Sequence, residues 1–112
     1  MKIEKENEEQ IINFGVFGYD ALKMGNILNL EEAEIQNEMK NETSDFYKLF
    51  QKGRDMADYV IDLKLFEMAK SGDIKALEKL DFRKRIREEE TTKRLKEIAS
   101  KKRMQEIIGK QQ

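Results

Sequence analysis

The side chains of this chain that can do chemistry are carboxylates, cations and a few amides, because cysteine and histidine are both absent. That absence removes disulfides, thiolate nucleophiles, the usual zinc ligands and imidazole acid–base catalysis together. The densest carboxylate group is Glu88-Glu89-Glu90. Consecutive residues on a helix point in different directions, so these three do not converge on one metal ion, and the flanking cations offer local ion pairs instead. No phosphate-cradling glycine loop and no nucleophile beside a base is legible. The expectation is therefore a protein with no catalytic residue, no metal and no cofactor, which acts by binding other macromolecules.

The cations are unevenly placed. Residues 1–82 hold 11 basic and 18 acidic side chains, and residues 83–112 hold 11 basic and 5 acidic ones. A net charge of -1 thus hides a cationic end, which suits a polyanion or an acidic partner surface, or else a solvated helix face. The cations at issue are Arg83, Lys84, Arg85, Arg87, Lys93, Arg94, Lys101, Lys102 and Arg103, followed by an apolar set at Leu95, Ile98, Met104, Ile107 and Ile108. Charge would attract a partner and the apolar set would anchor it.

The elements that carry these groups should all be helical. There is no proline, only six glycines, and 40% of residues are charged against 38% hydrophobic. Such a composition favours long helices and a thin core, so self-association is expected. No apolar run approaches a membrane span and no signal-type segment opens the chain, so it reads as a soluble, cytosolic protein. A first helix is predicted over residues 2–13, punctuated by Gly15 and Gly18, and a second over residues 19–28. Asn29, three residues before Glu32, resembles a capping box and predicts a third helix to about Lys40. Gly25, Leu28, Leu30 and Ile35 then lie at the core-facing offsets of a helix-turn-helix, a pattern shared with ordinary helical corners.

Thr43 or Ser44 can cap a fourth helix over residues 45–71. At about 100° per residue, Ala57, Ile61, Leu65 and Met68 form one stripe of it, and Met56, Tyr59, Leu63 and Phe66 form another roughly opposite. Two apolar faces on one helix call for burial on both sides, the second by another helix of the chain or by a neighbouring subunit. Gly72 and Asp73 predict a tight antiparallel turn into a fifth helix, with Leu77 and Leu80 packing back. After Phe82 the apolar pattern lapses into a solvated extension or a charged joint. The organisation expected is all-α: a helix-turn-helix-like three-helix unit over residues 1–42, a long antiparallel helical hairpin over residues 43–82, and a basic amphipathic helical tail over residues 83–112.

The order of these motifs, Gly18-Tyr19, Ile27-Leu28-Asn29-Leu30, Asp45-Phe46-Tyr47, Lys52-Gly53-Arg54, Ala57, Asp62-Leu63 and Ala69-Lys70-Ser71-Gly72-Asp73-Ile74-Lys75-Ala76-Leu77, resembles small terminase subunits of tailed bacteriophages over about residues 15–82. The resemblance implies a DNA-packaging recognition factor in the bacterial host cytoplasm. It would bind double-stranded viral DNA through the N-terminal unit, assemble as a homo-oligomeric ring through the hairpin, and contact the large terminase subunit, which does the chemistry, through the C-terminal segment. The DNA-binding candidates are Lys23, Gln36, Asn37, Lys40, Arg83, Lys84, Arg85 and Arg87. Those for assembly are Phe46, Phe50, Met56, Tyr59, Leu63 and Phe66, and those for the partner subunit are Leu95, Ile98, Met104, Ile107 and Ile108. The chain departs from a DNA reader in its third helix, where Glu31, Glu32, Glu34 and Glu38 face a single Lys40 and would repel phosphates. The readings from other classes are a helix-turn-helix transcription regulator and a non-catalytic helical adaptor.

Overall fold

In the computed structural model, which describes residues 1–110, the chain is all-α: α1 (Lys5–Phe17), α2 (Ala21–Leu28), α3 (Glu32–Lys40), α4 (Asp45–Lys70) and α5 (Ile74–Lys110). Two compact units divide it inside α4, one over residues 1–63 and one from Lys64 onward.

Three helix ends are closed by the same local device. Gly18, Asn29 and Gly72 all take positive φ, at 70°, 59° and 104°. At Gly18 and Gly72 the two bonds of a Schellman motif form: Tyr19 N–H to Phe14 C=O with Gly18 N–H to Gly15 C=O, and Asp73 N–H to Met68 C=O with Gly72 N–H to Ala69 C=O. Leu30 N–H reaches Gly25 C=O at 2.9 Å in the equivalent position after Asn29. The following helices are capped by side chains where one is available. Asp20 accepts from Lys23 N–H, Ser44 from Tyr47 N–H and Asp73 from Ala76 N–H, each within 3.0 Å.

Two expected boundaries shift. Gly15 does not end α1 but lies buried inside it, and α1 runs on to Phe17. Asn29 does not cap α3: its left-handed backbone is committed to closing α2, so the N-cap falls on Glu31, which makes no side-chain cap bond. No reciprocal capping box forms there.

The core of the first unit is built from Ile11, Phe14, Met24, Ile35, Phe46 and Phe50, all buried, with Tyr19, Leu28, Leu30, Met39 and Leu49 packed around them. Glycines let backbones close on one another in this unit. A Cβ on Gly15 would sit 1.9 Å from the Phe50 carbonyl oxygen, and one on Gly53 would sit 1.9 Å from the Ile12 carbonyl oxygen. α1 and α4 therefore cross with almost no side chain between them. A Cβ on Gly25 would likewise come within 2.7 Å of the Leu30 carbonyl oxygen, which holds the α2–α3 turn against α2.

In the second unit Ala76 is the buried apolar residue of α5. α5 then continues through position 83 without a break, so the charged stretch is a solvated helical extension and not a joint. Every residue from Glu88 to Gly109 is exposed.

Candidate functional site

The α2–α3 corner presents a three-residue turn, Asn29-Leu30-Glu31, between two short helices. Its candidate contacts are partly engaged with the protein itself. Lys23 holds its ammonium 4.8 Å over the Tyr19 ring, and the Gln36 side chain donates to Glu32 one turn back at 3.3 Å. Asn37 and Lys40 are exposed, and Lys40 shares the wall of an open cleft of about 720 Å³ with Arg54, Phe17 and Ile61. Glu32 and Glu34 are exposed on the same helix, and Glu31 is exposed at its N-cap. α3 and its N-cap thus present three acids on residues open to solvent, with Lys40 as the one cation of the helix.

The remaining DNA-binding candidates lie in the second unit. Arg83 and Arg87 are half-buried, Lys84 is exposed, and Arg85 is paired with Asp81 one turn back. The structure therefore places the eight candidates in two separate units, four in each.

The assembly candidates divide by burial. Phe46 and Phe50 are 0% and 5% exposed in the N-terminal core, so both rings are already spent on the fold and cannot also face a neighbouring subunit. The same helix turns its other candidates outward: Met56, Tyr59 and Leu63 in the first unit are exposed, as is Phe66 in the second, where the Lys70 ammonium lies 4.7 Å from its ring. Val60, 64% exposed, was missed by the sequence reading although it lies one turn after Met56 at the edge of the same stripe. The stripe spans about 120° of the helix surface. The opposite stripe is better covered, with Ala57 and Leu65 half-buried and Ile61 and Met68 exposed.

The tail candidates Leu95, Ile98, Met104, Ile107 and Ile108 are all about half exposed. Because α5 is one unbroken helix, they do not form a single patch: at about 100° per residue, Leu95 and Ile98 share one side while Met104, Ile107 and Ile108 fall on the other. Further exposed apolar residues include Phe17, Leu22 and Ile27 around α2.

Among the described residues no group of three or more acidic side chains is placed to hold a metal ion, and no helix is long and apolar enough to cross a membrane. Thr92 bonds its hydroxyl to the Glu88 carbonyl, and Glu88, Glu89 and Glu90 all face solvent. No protein-family model, curated protein or solved structure matches the chain.

Proposed function

We propose that this chain is a non-catalytic DNA-packaging factor similar to the small terminase subunits of tailed bacteriophages: a helix-turn-helix-like three-helix unit, a helical hairpin that assembles subunits into a ring, and a basic tail that meets DNA or the large motor subunit. The observation that carries the reading is the stripe of Met56, Tyr59, Val60, Leu63 and Phe66 left in solvent on α4. A contiguous apolar band of this kind is a protein-interaction surface by default. The ordered motifs from Gly18 to Leu77 supply the choice of family.

The test is the mass of the native assembly together with two binding measurements. A ring that binds double-stranded DNA and the large terminase subunit is expected, and truncation after Phe82 should leave the ring but remove DNA or motor binding. A dimer that prefers palindromic DNA would instead mark a transcription regulator. A second reading, a helical adaptor that binds protein through its N-terminal unit, is favoured by the exposed acids of α3, which repel phosphate. Failure to bind any duplex at low salt would select it.

A further inference from the structure

The unbroken course of α5 sorts its charges in a way that sequence order hides. At about 100° per residue, Lys84, Arg94, Leu95, Ile98, Lys101 and Lys102 fall within roughly one third of the helix circumference. All five acids of the segment, Glu88, Glu89, Glu90, Glu97 and Glu106, fall outside it. This face is basic, free of acid, about 27 Å long from Lys84 to Lys102, and carries the exposed apolar side chains of Leu95 and Ile98. Every residue of α5 from Glu88 to Gly109 is exposed, so this stretch gains little packing energy and a covering surface is called for.

The chain itself supplies the complement. The first unit, residues 1–63, holds 7 basic and 14 acidic side chains, whereas residues 64–112 hold 15 basic and 9 acidic ones. On the first unit the α2–α3 corner carries exposed Glu31, Glu32 and Glu34 and, on α2, exposed Leu22. An open cleft of about 450 Å³ lies there, lined by Leu22, Asn26 and Leu30, with Glu31 and Glu32 at its wall. Phosphates would match the cations of α5 but offer nothing to Leu95 and Ile98. The corner matches both.

We propose that the acid-free face of α5 docks on the acidic α2–α3 corner of a second copy of this chain. Leu95 and Ile98 meet Leu22 at the mouth of that cleft, and Arg94, Lys101 and Lys102 face Glu31, Glu32 and Glu34. The contact joins two different surfaces of the chain and adds to whatever α4 contributes. It goes beyond the DNA-packaging reading and needs no DNA.

The absence of cysteine allows a direct test. Chains carrying T91C are mixed with chains carrying N26C under mild oxidation, so that any disulfide between the two positions must join two molecules. Crosslinking is expected at low ionic strength and should be lost near 1 M salt, where the screening length falls to about 3 Å. Reversing the basic face (R94E/K101E/K102E) in the first chain, or the corner (E31K/E32K/E34K) in the second, should abolish it, and combining the two reversed chains should restore it. If the corner reversal lowers the melting temperature, the neutral E31Q/E32Q/E34Q takes its place and should weaken crosslinking without rescue. Reversal of the other side of α5 (R85E/K93E/K96E), equal in charge, should leave crosslinking intact. No crosslink at low salt, no recovery in the swapped pair, or equal loss in the other-side variant would each overturn the proposal. So would duplex DNA that binds the free chain through Arg94, Lys101 and Lys102 while no crosslink forms. The mass of the native assembly decides the ring separately.

Discussion

Single residues act here through two different kinds of glycine. Gly53 and Gly15 have no room for a Cβ, since each would meet a carbonyl oxygen at 1.9 Å, whereas Gly72 has open space around it and is restricted only by its φ of 104°. Gly53→Ala must push α1 and α4 apart, so it is expected to destabilise by about 3 kcal/mol or more in urea titration. Gly72→Ala should cost about 1 kcal/mol, the penalty of a left-handed backbone at a helix end. An equal loss for the two would mean that the close crossing is not a constraint. The aromatic residues of α4 divide in the same way. Phe46→Ala should cost about 3–5 kcal/mol because Phe46 is fully buried, while Tyr59→Glu, at a side chain 66% exposed, should leave the monomer's stability within about 0.5 kcal/mol.

Elements are held by their ends as much as by their faces. Ser44 accepts from Tyr47 N–H and donates to the Glu38 carbonyl, so it caps α4 and ties it to the end of α3. Ser44→Ala is expected to cost about 1–2 kcal/mol, more than a cap alone, by thermal denaturation. α5 is an element of two characters, with buried Ala76 near its start and nothing but exposed residues from Glu88 to Gly109. Its amides should therefore show graded hydrogen-exchange protection, strong around residues 76–87 and near that of an isolated helix beyond residue 91 in dilute monomer. Uniform protection along α5 at that dilution would show that the tail is covered within its own chain.

For the whole molecule, the exposed stripe on α4 predicts a homo-oligomer at micromolar concentration that Tyr59→Glu or Phe66→Glu dissociates without unfolding. Sedimentation of the wild type as a monomer, with cooperative melting, would count against assembly through this stripe. Duplex binding through the basic tail should fall steeply with salt, because each phosphate contact releases counterions. Replacing Leu95 and Ile98 should change that slope little while weakening contacts to a protein partner.

Local chemistry was legible in the sequence wherever a backbone conformation or a cap decided the outcome. The turns at Gly18 and Gly72, the caps at Ser44 and Asp73, the helical composition and the outward stripe of Met56, Tyr59, Leu63 and Phe66 all follow from residue type and spacing over a few positions. Tertiary structure decided what depends on distant neighbours. Gly15 looks like a helix breaker until α4 crosses it, and Asn29 looks like an N-cap until α2 claims its left-handed backbone. Phe46 and Phe50 share a helix with the exposed stripe, and only the N-terminal core takes them inside. The tail's apolar residues read as one patch in sequence and divide between two sides once α5 is continuous. For Gly15, Phe46 and Phe50 the reason is the same: conformational preference is carried by adjacent residues, whereas burial is set by whichever segment packs against them.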